Sequence, residues 1–434
     1  MPLRLSISDA DFEDRFDTLV NARREADEDV SSDVKAIISD VKNRGDRAIQ
    51  ELTRKFDHHN LEETGWKIPK ADCVTALEEM EASLRVSLEL AALRISDYHQ
   101  GQVPDNRDFN DDAGVRIGAR WNAVERAGIY IPGGRAAYPS SVLMNAIPAK
   151  VAGVDKIIMV TPTPNGQVNP LVLAAAELSG VDEIWRIGGA QAVAALAYGT
   201  NQIDPVDVIT GPGNAWVAEA KRQVYGVVGI DMVAGPSEII VVADERNDPD
   251  WIAADLLSQA EHDPTSQSIL FTNDSNFADQ VTDKIDEQLQ SLETAETAST
   301  SWKAHGAVIV VDRFDQAVPL VDRLAAEHLE LAIDQPDELF RKIRHAGSVF
   351  LGRYTPEALG DYVAGPNHVL PTGRRARFSS GLSVTDFMKR TSFISCDDKA
   401  LRNIGPAAVA LAKAEGLPAH AASITRRLHS NAKD

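Results

Sequence analysis

Short apolar runs rich in β-branched residues alternate with helix-patterned segments from Gly128 onward. Runs of this length, each followed by a segment with helical spacing, are typical of βαβ units with parallel sheets. The first series of predicted strands covers 128–131, 156–160, 182–187 and 207–210. The second series covers 238–242, 268–271, 307–311, 329–333 and 348–351. The pattern therefore predicts an α/β fold with two doubly wound, Rossmann-like units.

Helical spacing of apolar residues dominates both ends of the chain. It is clearest over 70–100 near the start, and over 398–413 and 418–428 near the end. The pattern predicts a helical N-terminal region, a first Rossmann-like domain, a second Rossmann-like domain and a small helical C-terminal domain. Their expected bounds are 1–127, 128–236, 237–378 and 379–434.

Composition narrows the possible functions. A chain of 434 residues with 44% hydrophobic content can bury several cores, because single cores stop growing at roughly 250–300 residues. The net charge of -21 argues against nucleic-acid and anionic-membrane surfaces, which attract basic proteins. We see neither a signal peptide nor a membrane-spanning run, so we expect a cytoplasmic protein. Cys73 and Cys396 stand in unlike contexts, so any metal should have nitrogen and oxygen ligands.

Three strand-to-helix junctions of the first unit are rich in glycine. They are 132–135 (Pro-Gly-Gly-Arg), 188–191 (Gly-Gly-Ala-Gln) and 211–216 (Gly-Pro-Gly-Asn-Ala-Trp). Glycine lets backbone N–H groups approach an anion at a helix N-terminus, so these loops predict a site for a phosphate-bearing cofactor. Tight turns alone would also favour glycine. No Gly-x-Gly-x-x-Gly fingerprint is present, so the spacing does not identify a dinucleotide.

A candidate metal site begins with Gln259 and His262, three residues apart on one face of a predicted helix. Two such side chains can point at one ion, although an isolated pair is more often an ordinary helix end. The loop 360–368, which contains Asp361, and His420 in the C-terminal helical region strengthen the metal hypothesis. Loops on rigid α/β cores are common places for functional sites.

Glu327 and His328 form a candidate acid–base pair just before the predicted strand 329–333. Histidine is suited to proton transfer near neutral pH and glutamate to activating water. A solvated helix end explains the two residues equally well, so the pair alone does not establish catalysis.

Several longer segments resemble the L-histidinol dehydrogenase family, in the family's order. They are 130–144, 188–192, 211–215, 234–238, 258–262, 326–329, 360–362 and 367–372. The resemblance covers nearly the whole chain, although the first hundred residues match in pattern more than in motif. Small departures occur at Arg375 and at Ser423-Ile424, away from the expected chemistry.

The resemblance implies an NAD-dependent, zinc-containing dehydrogenase that converts L-histidinol to L-histidine through L-histidinal. It implies catalysis by Glu327 and His328. The zinc ligands would be Gln259, His262, Asp361 and His420. The NAD contacts would be Tyr130, Gln191 and Asn214. The substrate contacts would be Ser237, His328 and Glu415, together with the four zinc ligands.

The family resemblance also implies an intertwined homodimer, in which the C-terminal domain of one chain supplies Glu415 and His420 to its partner's site. An ordinary intramolecular helix pair would explain the same C-terminal pattern. Three other functions stay open: a metal-dependent hydrolase, a non-catalytic binding protein, and a family paralogue that oxidises another alcohol, such as a sulfonated diol. Reduction of NAD on addition of substrate would separate the dehydrogenases from the other two classes.

Overall fold

The computed structural model describes residues 2–22, 30–133, 138–233 and 235–429. Its strands are β1 (Leu3–Ser6), β2 (Lys67–Ile68), β3 (Arg107–Asn110), β4 (Arg116–Ala123), β5 (Arg126–Tyr130), β6 (Lys156–Val160), β7 (Glu183–Trp185), β8 (Val208–Thr210), β9 (Gly229–Ile230), β10 (Glu238–Ala243), β11 (Gln267–Thr272), β12 (Ala307–Val310), β13 (His328–Ala332), β14 (Ser348–Leu351) and β15 (Met388–Ser395).

Helices occur throughout the described ranges. They are α1 (Phe12–Asn21), α2 (Ser31–Arg44), α3 (Asp46–Asp57), α4 (Leu61–Thr64), α5 (Lys70–Glu78), α6 (Ala82–Gln100), α7 (Pro139–Ala152), α8 (Pro170–Ser179), α9 (Gly189–Tyr198), α10 (Ala215–Val224), α11 (Pro249–Ala260), α12 (Ser275–Gln288), α13 (Ala295–His305), α14 (Phe314–Leu324), α15 (Pro336–Phe340), α16 (Ala358–Tyr362), α17 (Asp398–Ala414) and α18 (Pro418–Leu428). Short 3-10 turns cover Pro164–Gly166, Arg375–Arg377 and Val384–Phe387.

The chain forms two compact units. The larger one comprises Met1–Gln102 and Glu125–Phe387, and the smaller one comprises Val103–Val124 and Met388–Asp434. The larger unit contains both six-stranded sheets, and the smaller unit contains a three-stranded antiparallel sheet in the order β15-β4-β3.

Both large sheets have a doubly wound strand order. The first sheet runs β2-β7-β6-β5-β8-β9, parallel except for the edge strand β2, and the second runs β1-β12-β11-β10-β13-β14, parallel throughout. In each sheet, successive strands extend in one direction from β5 or β10 and then in the other, which is the Rossmann-like arrangement. The predicted α/β fold with parallel sheets is confirmed, and all nine predicted strands lie within two residues of observed ones.

The central strands of the second sheet are buried along their whole length, because helices cover both faces of a parallel sheet. Every residue of β10, β11 and β13 is buried. Most of these residues are apolar. The polar ones are Glu238, Gln267, Ser268, Thr272, His328 and Glu330. Burying a polar group costs free energy unless it is paired. Buried polar residues in the core of a sheet are therefore candidates for a functional site.

The ends of the chain differ from the pattern in three places. The strand β1 joins the second sheet beside β12, although the N-terminal region was expected to be helical and to lead into the first sheet. The segment 70–100 forms two helices, because the Glu81 side chain accepts the backbone N–H groups of Ser83 and Leu84 and starts α6.

The third difference is the small unit. The expected C-terminal domain, 379–434, was helical and drawn from one segment, whereas β15 pairs along its full length with β4 from 116–123. A strand needs a partner for its backbone groups, and here the partner comes from a distant part of the sequence. The helices predicted over 398–413 and 418–428 are confirmed as α17 and α18.

Candidate active site

The candidate catalytic and metal-binding residues of the larger unit gather at the amino end of the second sheet. Ser237 directly precedes β10, and His328 is the first residue of β13 beside it. Gln259 lies in the last turn of α11, and His262 follows in the connection to β11. Ligands of doubly wound sheets usually bind at the carboxyl ends of the strands. The second sheet therefore presents its site at the opposite edge.

The first residue of β10 holds the acid–base pair. The backbone N–H of Glu238 donates to the Glu327 carboxylate at 3.1 Å, and the Glu238 carbonyl accepts from Nδ1 of His328 at 3.1 Å. Because a carbonyl oxygen can only accept, Nδ1 carries the hydrogen, and the neutral ring has its lone pair on Nε2. The pair is therefore oriented by the two backbone polar groups of one residue of the neighbouring strand.

Burial shifts the two groups in opposite directions. Desolvation lowers the pKa of His328 to about 4, so its ring is neutral at pH 7 and able to accept a proton. Desolvation also raises the pKa of Glu327 well above its usual value, although the hydrogen bond from Glu238 opposes this shift. Neighbouring titratable groups with opposed shifts are a common mark of acid–base chemistry.

A third acidic residue, Glu357, faces the histidine and was missed from the sequence. Its side chain is buried, with Oε1 lying 3.6 Å from Nε2 of His328, and Oε2 accepting from the Ser258 hydroxyl at 3.3 Å. Burial raises the pKa of Glu357 to about 8. The available signal was its spacing: Glu357 caps α16 one turn before Asp361, so both can lie on one helical face.

Polar ligand atoms converge in the same place. Ligand atoms of His328, Glu357 and Asp361 all lie within 4.8 Å of one another. Only Asp361 in this group belongs to the predicted zinc set. His368 lies beside Asp361, with its Nδ1 3.0 Å from the Asp361 carbonyl and 3.6 Å from the carboxylate. These contacts limit the orientations that the Asp361 side chain can take.

Gln259 and His262 also lie together. The Gln259 amide nitrogen is 3.2 Å from Nδ1 of His262, while the amide oxygen is buried and lacks a hydrogen-bond partner in the described chain. Buried polar atoms rarely stay unpaired, and an oxygen of this kind suits a cation with nitrogen and oxygen ligands. The charge of His262 influences the pKa of both His328 and His368, which places it in the same cluster. The residues therefore fit a metal ion.

The three candidate NAD contacts lie at the carboxyl edge of the first sheet. Tyr130 ends β5, and its hydroxyl accepts the backbone N–H of Gly189 at 3.1 Å. Gln191 is buried in the first turn of α9. The Asn214 side chain caps α10, accepting backbone N–H groups of the next turn at 3.1 and 3.2 Å.

Glycine in the junctions of the first sheet has a clear packing role. A Cβ atom on Gly133 would lie 2.7 Å from Pro162, and one on Gly188 would lie 2.4 Å from it, so both glycines allow close packing of neighbouring loops. Residues 134–137, which include the second half of the junction 132–135, lie outside the described residues.

Glu415 and His420 belong to the smaller unit, where Glu415 follows α17 and His420 lies in the first turn of α18. Both side chains are exposed. Their place beside the cluster of the larger unit stays a prediction.

The described residues form an α/β fold with three candidate cofactor contacts at the carboxyl edge of one Rossmann-like sheet and a separate cluster of candidate acid–base and metal-ligand residues, an arrangement typical of an enzyme. Comparison with known proteins identifies the family to which the chain belongs. A family model described as histidinol dehydrogenase matches residues 20–428. The chain belongs to the histidinol dehydrogenase family, and thereby to the NAD-dependent oxidoreductases.

The similarity extends over whole chains. The histidinol dehydrogenase of Zymomonas mobilis is 63% identical over 99% of this chain and 100% of its own length. That of Rhodospirillum rubrum is 59% identical over 99% of each chain. The crystal structure of histidinol dehydrogenase from Elizabethkingia anophelis is 36% identical, with a TM-score of 0.94 over 98% of both chains. Within the described ranges, none of the helices has the length and apolar character needed to cross a bilayer.

Proposed function

We propose that the protein oxidises L-histidinol to L-histidine in two successive NAD-dependent steps, with L-histidinal held in the site between them. The observation that carries this proposal is the buried pair of Glu327 and His328, adjacent in sequence and shifted in opposite directions in pKa. Oxidation of an alcohol needs a base for the hydroxyl proton, and oxidation of the aldehyde needs an activated water. Two residues with different protonation states suit these two tasks.

His328 accepts the alcohol proton on Nε2, because its Nδ1 hydrogen is already donated to Glu238. Glu327 activates the water that adds to the aldehyde, and it must lose its own proton to do so. Tyr130, Gln191 and Asn214 would hold NAD, which would supply the hydride acceptor for both oxidations. The substrate contacts would be Ser237, Gln259, His262, His328, Asp361, Glu415 and His420.

The metal would be zinc, held by Gln259, His262, Asp361 and His420. Bound there, it would supply a Lewis acid that binds and orients the imidazole and amine of the substrate. The unpartnered oxygen of Gln259 and the all-N/O donor set support this assignment.

Removing the metal is expected to abolish oxidation of L-histidinol while the protein stays folded. Two large parallel sheets with buried cores do not depend on one ion for their stability. Activity and far-UV circular dichroism would be measured before and after chelation, with activity measured again after zinc is restored. Loss of the circular dichroism signal on chelation would contradict this expectation.

Two NADH molecules are expected for each L-histidine formed. The reason is that the aldehyde would stay bound until the second oxidation is complete. NADH would be followed by absorbance and histidine by chromatography in the same reaction. A ratio near one, with free aldehyde accumulating, would rule out the two-step proposal.

The proposed assembly is an intertwined homodimer in which the partner supplies Glu415 and His420. Exposed apolar side chains support this proposal. Leu411 and Leu417 flank Glu415 and are 65% and 42% exposed, and such surfaces commonly mark interfaces. No nucleic acid or membrane partner is proposed, and a cytoplasmic location stays a prediction.

A second candidate is a family paralogue that oxidises another alcohol, such as a sulfonated diol. The exposed carboxylate of Glu415 favours the cationic amine of histidinol over a sulfonate, which would be better matched by Arg or Lys. A panel of alcohols assayed at equal concentration with NAD would distinguish the two substrates.

A further inference from the structure

A buried ion pair contacts the start of the loop 211–214, which contains the candidate NAD contact Asn214. Lys221 on α10 and Asp231 just after β9 contact each other, with side chains only 3% and 1% exposed. Both also bind Gly211, the first residue after β8. The Lys221 ammonium donates to the Gly211 carbonyl at 2.9 Å, and the Asp231 carboxylate accepts the Gly211 N–H at 2.8 Å. The pair therefore holds both backbone polar groups of one residue.

Gly211 cannot be replaced without moving its neighbours. Its φ is +113°, and a Cβ atom there would lie 2.1 Å from the carbonyl oxygen of Tyr130. Only glycine adopts this backbone conformation without strain. Through these hydrogen bonds, the ion pair holds the start of the 211–214 loop beside the end of β5, where Tyr130 lies.

Tyr130 is connected in turn to the other two candidate cofactor residues, Gln191 and Asn214. The Tyr130 hydroxyl accepts the N–H of Gly189, and Gly189 packs closely against the side-chain amide of Gln191. Asn214 lies three residues beyond Gly211 on the loop itself. Contacts therefore connect the buried ion pair through Gly211 to Tyr130 and Gln191, and the backbone connects Gly211 to Asn214. Tyr130 ends β5, whereas Gln191 and Asn214 lie at the starts of α9 and α10.

We propose that Lys221 and Asp231 are positioning residues for the cofactor: they hold Gly211 so that Tyr130 and Asn214 face NAD in the correct geometry. This proposal rests on the assignment of NAD to the first sheet. A buried ion pair is a weak source of stability, because desolvation of the two charges offsets their attraction. Its more informative property is the fixed geometry of its hydrogen bonds, which here converge on a single peptide segment.

The test replaces the charges and measures NAD binding separately from turnover. Lys221→Met keeps the apolar stem but leaves Asp231 buried without a counter-charge. The double variant Lys221→Met with Asp231→Asn removes both charges and guards against unfolding of the single one. Lys150→Met, at an exposed lysine on α7, is the matched control. Folding would be checked by circular dichroism.

For both variants we expect the Kd of NAD, measured calorimetrically without substrate, to rise at least about tenfold, since each tenfold step corresponds to the energy of roughly one good hydrogen bond. The KM for NAD should rise with it, while the KM for L-histidinol stays within about twofold, because the two sites lie on different sheets. The control should match the wild type.

Unchanged NAD affinity in a folded variant would overturn the proposal, as would an equal rise in both KM values, which indicates general loosening of the structure. If the wild-type protein binds NAD but does not oxidise L-histidinol, the proposed reaction fails and the positioning proposal stands. If the wild-type protein does not bind NAD, both fail.

Discussion

Replacing His328 by Gln is expected to lower kcat for both oxidation steps by about 10²–10⁴-fold, the usual contribution of a positioned acid–base group. Glutamine keeps much of the size of the ring but cannot take up a proton. Both steps need the base in this position, since each requires a proton to leave an oxygen of the substrate as hydride is transferred. The step-specific rates would be measured separately with L-histidinol and with L-histidinal.

Glu327→Gln is expected to slow the oxidation of L-histidinal much more than the oxidation of L-histidinol. The amide oxygen of glutamine can still accept the Glu238 N–H that Glu327 binds now, so the strand contact and the fold should survive. The amide cannot activate water, so oxidation of L-histidinal should fall by a similar 10²–10⁴-fold factor, while formation of the aldehyde from L-histidinol is affected much less. Glu338→Gln and His345→Gln, outside the site, serve as matched controls. An equal loss in both steps would contradict the separate role of Glu327.

Mixing two inactive variants, His262→Ala and His420→Ala, is expected to restore activity. If the active site is shared between chains, each heterodimer has one site that carries both changes and one site that carries neither. With random exchange of subunits, about half of the dimers would be heterodimers, so activity should approach roughly a quarter of the wild-type value. The physical reason is that metal ligands act only as a complete set.

The exchange must be shown to occur. Mild denaturant followed by refolding would allow subunits to exchange, and differently tagged chains would report the heterodimer fraction. Each variant treated alone should stay inactive. If heterodimers form and every mixture stays inactive, the site lies within one chain and the shared-site proposal is wrong.

Much of the fold was predictable because each strand of a parallel sheet covered by helices appears in the sequence as a short apolar run. Residues 238–242 and 307–311 are almost continuously apolar, since both faces of these strands meet helices. By contrast, β15 carries Lys389, Arg390 and Thr391 and is largely exposed, so its apolar content did not predict a strand. Its conformation depends on pairing with β4, about 270 residues earlier.

The site divides in the same way. Gln259 with His262, and Glu327 with His328, were found from the sequence because each pair is close along the chain and chemically distinctive. Glu357 was not found, because a lone glutamate in a polar loop looks like any solvated residue. Only the tertiary fold buries Glu357, just before α16, and brings it 3.6 Å from His328.

The sequence by itself determined the α/β class, nine of the twelve strands of the two large sheets and the residue types available for chemistry, because these follow from local patterns of side chains. Tertiary structure decided that the candidate catalytic and metal-binding residues of the second sheet gather at its amino edge, since residues far apart in the sequence meet there. It also decided the protonation tendencies of Glu327 and His328, because desolvation by residues far away in the chain shifts their pKa values. Local composition contains no record of that burial.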